Sequence, residues 1–412
     1  MNMKVSLWKV LSIAVALLLS CAVTSDAFKV QVDEDTWADF AVRGQLSYKN
    51  FDKRSEAIDY RKNYFELTEA EFYVKGQIND LIQFFTQWEC VYKPLKLDGT
   101  DRSSGYKKDG VVMKETGMNF LFAPEFKVRF GRIRIPVSRY HQRSDYGKII
   151  QTDYFYRYDI QEVFTGKDLG LKVNKTALNI REPGVVFYGD PFDGMLRYHL
   201  GLFNQPNNED TDKKYNYKGL RYTARLAFTP TMLGFKPESS LKGTRKDSYL
   251  GKKDILTIGA GYSKEEIWKD LNNEMYAVDA FFEKKFGSIV PNLGCGYIKA
   301  KKTHRELIDG RSQDSAFWFV QGQLLYDEVV GFGKPAIAAK FERMESDKAY
   351  ANKDVKSDRL SVALNYYFEG YSAWISLGLD NVKYKDGAKD YLVANNKEDS
   401  FTDYTLSLQF IF

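Results

Sequence analysis

The chain has 412 residues, with 60 Lys and Arg against 55 Asp and Glu, for a formal net charge of +5 at pH 7. A balance this close to neutral excludes a strongly basic nucleic-acid binder, and a mean hydropathy of −0.44 excludes a bundle of apolar membrane helices. Aromatic residues make up 15% of the chain and prolines number only 10, which leaves open a membrane-spanning barrel, whose inward and outward residues cancel in any hydropathy average.

The first segment addresses compartment. Lys4 and Lys9 precede the apolar run Val10–Val23, and the small residues Ser25 and Ala27 follow it. That run is shorter than the roughly 20 residues needed to cross a bilayer as a helix. We therefore expect residues 1–27 to be a secretory signal peptide cleaved after Ala27, leaving 28–412 as one β-barrel domain. Loss of two lysines and one aspartate would lower the net charge from +5 to +4. Leu18-Leu19-Ser20-Cys21 also resembles a weak lipobox, so lipidation at Cys21 is the alternative.

Beyond the leader, period-2 alternation of apolar and polar residues marks strands. About sixteen are expected, at 37–48, 64–78, 81–92, 111–122, 126–133, 184–189, 195–203, 219–228, 254–262, 274–283, 289–299, 315–326, 335–343, 359–368, 371–382 and 403–412. Most are about ten residues long, enough to cross a membrane's apolar layer at a tilt of about 45°. Short turns (Asn79-Asp80, 123–125, Glu369-Gly370) alternate with long charged connections (49–63, 93–110, 134–183, 204–218, 263–273, 300–314, 344–358, 383–402). Short turns at one end and long loops at the other are the asymmetry of outer-membrane barrels. The connection 229–253 departs from it, being long and basic where a short turn is due.

The last strand, Tyr404 to Phe412, alternates almost without fault. A terminal strand this regular needs partners on both edges, and the stretch from Trp37 to Gly44 can supply the second one and close the barrel. Its final Phe412 fits the signal read by bacterial barrel-assembly machinery. Cys90 and Cys295 share parity with apolar neighbours, which reads as two lipid-facing thiols rather than a disulfide.

Several of these stretches resemble the phosphate-selective porin family (porins O and P). They are Arg181–Asn204 (REPGVVFYGDPFDGMLRYHLGLFN), Lys127–Tyr140 (KVRFGRIRIPVSRY), Arg221–Pro230 (RYTARLAFTP) and the terminal strand. The resemblance implies a sixteen-stranded barrel, often trimeric, with a third loop folded into the pore and a basic lining that attracts anions. The chain departs from the family pattern at Glu69 and Glu71, where arginines are usual.

Parity selects the pore lining. In LRYTARLAF the apolar set Leu220, Tyr222, Ala224, Leu226 and Phe228 faces lipid, so Arg221 and Arg225 face the lumen. The same reasoning places Arg43, Lys127, Arg129, Arg197 and Lys340 inside, since an arginine on the lipid face at mid-bilayer costs about 2–4 kcal/mol. Glu69, Glu71, Asp279, Glu283, Glu342 and Asp380 share the inward parity. The third loop opens with Arg134, Arg139 and Arg143 and turns acidic and aromatic at 153–159. A loop of this length is expected to fold back and constrict the pore.

No zinc-protease helix, nucleophile elbow or phosphate-cradling Gly loop is present, and no His or Cys pair has metal-ligand spacing. The expectation is therefore not an enzyme and no cofactor, but an outer-membrane porin for small solutes with a moderate preference for anions such as phosphate. The alternatives are a general diffusion porin, or a barrel sheath for cytochrome partners. In the last case the chain would carry no c-type haem itself, because it lacks Cys-x-x-Cys-His.

Overall fold

A computed structural model describes residues 28–52, 63–91, 110–152, 181–204, 219–238, 245–268, 271–301, 314–350, 353–394 and 398–412. The expected signal peptide, Cys21 and the acidic-aromatic stretch at 153–159 lie outside these residues.

Among the described residues there are seventeen strands in one sheet. They are β1 (Phe28–Gln31), β2 (Trp37–Asp52), β3 (Asn63–Gln77), β4 (Ile82–Val91), β5 (Gly110–Ala123), β6 (Phe126–Arg134), β7 (Arg181–Gly189), β8 (Leu196–Asn204) and β9 (Leu220–Phe228). Then follow β10 (Ile255–Trp268), β11 (Leu271–Glu283), β12 (Ile289–Lys301), β13 (Ser315–Tyr326), β14 (Lys334–Tyr350), β15 (Lys353–Glu369), β16 (Ala373–Asp386) and β17 (Ser400–Ile411). From β2 to β17 each strand pairs antiparallel with the next, and β17 returns to β2 with Leu408 opposite Leu46 and Ile411 opposite Arg43. These sixteen strands form a closed barrel. Closure matters physically because an unpaired backbone group facing hydrocarbon costs several kcal/mol, and a closed ladder leaves none on an edge.

β1 is the strand that alternation did not reveal. It pairs with Trp37–Phe40 of β2, the part of that edge lying beyond the pairing of Phe412 with Val42. Four residues are too few to show a period, so only the tertiary pairing defines it.

The described residues of two expected loops are strand instead. Residues 263–268 and 271–273 continue β10 and β11, and 344–350 and 353–358 continue β14 and β15, as paired ribbon, and β14 and β15 each run 17 residues. At about 3.3 Å per residue that is roughly 56 Å, well beyond an apolar band about 25 Å tall. Outside that band both faces are wet, so the apolar alternation disappears while the hydrogen-bonded ladder goes on. Within the expected loop 383–402 a short helix, α1 (Gly387–Ala394), sits between β16 and β17.

The faces sort as parity requires. β9 alternates exposed and buried at every residue, with Leu220, Tyr222, Ala224, Leu226 and Phe228 out and Arg221, Thr223, Arg225 and Ala227 in. Cys90 and Cys295 are free thiols, the former exposed. The buried apolar cluster of the protein lies inside the barrel, where Ile133, Ile135, Val137 and Tyr140 pack with inward residues of β7, β8, β11 and β13.

Candidate functional site in the barrel lumen

Two segments enter the lumen. The first begins where β6 ends, and every residue from Ile133 to Ile150 is buried. It touches most of the wall. The Arg139 amide donates to Asp279 Oδ2 on β11 at 2.9 Å. Gln409 Nε2 on β17 donates to the Tyr146 carbonyl at 3.1 Å, and Asn365 Nδ2 on β15 to the Ile149 carbonyl at 2.7 Å. Lys340 Nζ on β14 donates to the Thr152 carbonyl at 3.1 Å. With Asp145 also 3.6 Å from Lys114 on β5, the loop is bonded to strands on opposite sides of the barrel and lies within it.

Small inward residues make room for it. A Cβ on Gly261 would stand 2.0 Å from the Val137 carbonyl oxygen, and one on Gly294 would stand 2.2 Å from the Tyr140 hydroxyl. Any side chain at these two positions would displace the segment. The Tyr140 ring also meets Phe319 edge-on at 4.4 Å between centroids. The crossing is thus held by an apolar seat as well as by polar bonds.

The second segment is the β9–β10 connection, described at 229–238 and 245–254. It enters from the short-turn end. Glu238, Arg245, Asp247 and Ser248 are all buried. The two segments join by backbone bonds: Ser144 N–H to the Arg245 carbonyl at 2.8 Å, Arg245 N–H to the Gln142 carbonyl at 3.0 Å, and Asp247 N–H to the Gly147 carbonyl at 2.7 Å. Arg143 and Arg245 form the centre of this short parallel bridge.

Each residue expected to line the pore can now be placed. Arg225 donates to both oxygens of Asp279 at 2.7 Å, and Arg221 donates to Glu265 at 2.5 Å. Arg197 and Lys127 share Asp190, at 2.5 and 3.0 Å. Arg129 bonds Asn119 at 2.6 Å and stands over the Phe85 and Tyr188 rings. Arg43 stands over the rings of Tyr73 and Tyr146 at 4.7 and 5.4 Å, and Lys340 lies 3.2 Å from Glu342. In the crossing segment and at its root, Arg134 bonds Glu115 at 2.7 Å, Arg139 bonds Glu238 at 2.7 to 3.2 Å, and Arg143 bonds Asp247 at 2.8 Å. The cations gather on the inner side, but most stand against an acid supplied by another element.

Electrostatics in the connection follow from that arrangement. Burial alone would raise the Glu238 carboxyl, yet Arg139 and Arg245 beside it outweigh burial and hold it at about 2. The Arg245 guanidinium is pulled down to about 10, first by burial and then by Arg197. On the β3–β5 side, ligand oxygens of Glu69, Glu71 and Glu89 come within 4.8 Å of one another. The Lys114 ammonium stands among them at 2.8, 2.6 and 3.3 Å, so a lysine supplies the cation there. Two spaces flank the crossing. One is bounded by Arg129, Arg134, Tyr188, His199 and Arg245, and one by Thr152, Asp380, Thr405 and Ser407.

Single-strand reasoning missed the apolar seat and the inward course of the β9–β10 connection. A signal for the first exists: in SAFWFVQ of β13 and MYAVDAFF of β11 both parities are apolar, the mark of a strand covered on both sides. For the second the only signal is that a turn due to be short is long and carries acids as well as lysines.

A closed sixteen-strand barrel, lipid-facing apolar rows and an inward third loop define the fold of outer-membrane porins. The comparisons agree at that level. The anion-selective porin from Comamonas acidovorans superposes with a TM-score of 0.54 at 12% identity, covering 92% of this chain and 100% of that one. The outer membrane channel DcaP of Acinetobacter baumannii gives 0.53 at 11% identity, over 93% of this chain and 99% of that one. The trimer form of OmpT, an outer membrane protein of Vibrio cholerae, gives 0.51 at 12% identity, over 92% and 100%. In sequence, an uncharacterized protein of Aquifex aeolicus is 23% identical over 388 residues, 86% of this chain and 83% of that one. No protein-family model matches the chain.

Proposed function

We propose that the protein is an outer-membrane porin, a channel rather than an enzyme, for passive diffusion of small solutes with a moderate preference for anions such as phosphate or other oxyanions. The carrying observation is the buried segment 135–150 crossing a closed barrel, with guanidinium groups on it and on the facing wall. The sequence stretches that resemble phosphate-selective porins and the likeness in fold to an anion-selective porin support this reading. So does physics: in a narrow bore of effective dielectric near 20, a unit charge about 4 Å from an ion acts with roughly 4 kcal/mol. Assembly as a homotrimer and residence in the outer membrane after leader cleavage near Ala27 belong to the same proposal.

The pairing of Arg197, Arg221 and Arg225 with acids favours a second reading, a general diffusion porin with little ion preference. Planar-bilayer recording separates the two. In a KCl gradient the zero-current potential should have the sign of anion selectivity, and phosphate should reduce the chloride current. A potential near zero would leave the general porin standing. Purified protein that never conducts would end both.

A further inference from the structure

We infer that the β9–β10 connection is a second selectivity element, which clamps the crossing segment and cancels two of its positive charges. The inference rests on the channel reading and deepens it. Three arginines enter the lumen at the start of the third loop, and each meets a carboxylate. The partner of Arg134 is Glu115, on the neighbouring β5 wall. The partners of Arg139 and Arg143 come from the connection instead: Glu238 grips Arg139 through both carboxylate oxygens, and Asp247 grips Arg143. Glu238 and Asp247 are themselves nearly inaccessible, at 2% and 1% exposure, so water screens neither pair much.

The connection is built for this position. Tyr249 donates its hydroxyl proton to Glu238 at 2.7 Å, and Asn292 on β12 donates to the Asp247 carbonyl at 2.9 Å. The Tyr249 amide is held by both oxygens of Glu283 on β11, at 3.0 and 2.9 Å. The acids are therefore anchored to the wall and presented to the loop. A surface turn with no inward role needs none of these bonds, nor the parallel bridge to residues 142–147.

It follows that the fixed charge near the crossing is set jointly by two connections entering from opposite ends. Removing the carboxylate charges takes the facing acid from Arg139 and Arg143, and also from Arg245, which lies 3.7 Å from Glu238, so three guanidinium groups lose compensation beside the ion path. Reversing one ion pair across the two connections leaves the sum unchanged.

The test uses the full chain refolded in detergent and recorded in planar bilayers with KCl. For Glu238→Gln with Asp247→Asn, the zero-current potential in a tenfold gradient should move toward anion selectivity, and the shift should shrink as salt rises. Contact is read separately by Gly147→Cys with Lys246→Cys in a chain whose Cys90 and Cys295 are changed to Ser: a Cβ on Gly147 would stand 3.1 Å from the Lys246 Cβ, so a shift of a few tenths of an ångström reaches the disulfide range of about 3.5–4.5 Å. Oxidation should cross-link them within one chain, seen as a shift in gel mobility reversed by reductant. A conducting wild type whose double carboxamide variant keeps its potential overturns the inference and leaves the porin reading intact. Folded cysteine variant that does not cross-link overturns it too, even if the charge variants fail to fold. A non-conducting wild type removes the porin reading instead.

Discussion

Arg225 shows how much one lumenal side chain is asked to do. Its guanidinium binds both oxygens of Asp279 and also the Val137 carbonyl at 3.3 Å, so it joins β9, β11 and the crossing segment. Removing one partner of a buried pair leaves an uncompensated charge and costs about 3–5 kcal/mol, whereas removing both charges costs far less. Arg225→Gln should therefore lower the urea midpoint of unfolding clearly, and adding Asp279→Asn should restore most of the loss. A double-mutant cycle with no coupling would mean that the pair is solvated and weak. Parity alone identified Arg225 as inward-facing. That it is paired was not legible, because Asp279 lies two strands away in the sheet and 54 residues away in sequence.

At the scale of the element, the segment 135–152 combines an apolar anchor with polar bonds to the walls. Ile135, Val137 and Tyr140 are each about 1–2% exposed, which for a loop can only mean enclosure by other parts of the fold. Burying such side chains stabilises by about 1.5–3 kcal/mol each relative to leaving them in water, so the segment is a fixed constriction rather than a drifting flap. Replacing residues 141–152 by a short Gly-Ser linker should raise single-channel conductance several-fold while the barrel, held by its own ladder, stays folded. Unchanged conductance in a folded variant would place the ion path elsewhere. The inward loop was expected from its length and from the porin resemblance; its seat depends on Gly261 and Gly294, whose inward parity acquires meaning only when the loop is known to lie on them.

For the whole molecule, stability resides in a ladder without free edges, closed where β17 meets β2 and extended by β1. Such a barrel unfolds as one unit, since opening any seam exposes two rows of backbone groups to hydrocarbon. Purified protein in detergent should show a β-rich circular dichroism spectrum and a gel mobility that changes only after boiling. A helical spectrum would contradict the architecture outright.

What the sequence determined by itself is what depends on near neighbours along the chain. Alternation of period two is a local property, so it disclosed the sixteen strands, their lipid and lumen faces, the inward Arg221 and Arg225, and the sorting of short and long connections. Closure followed too, because a regular final strand needs a second partner. Only the tertiary structure decided which charges meet, since Arg197 with Asp190, Arg139 with Glu238 and Arg143 with Asp247 pair across turns, loops and walls whose register no local pattern encodes. It also decided that the β9–β10 connection folds inward. Whether a polar loop points to water or into a lumen depends on what waits for it there, and Glu283, Asn292 and the third loop come from three other parts of the chain.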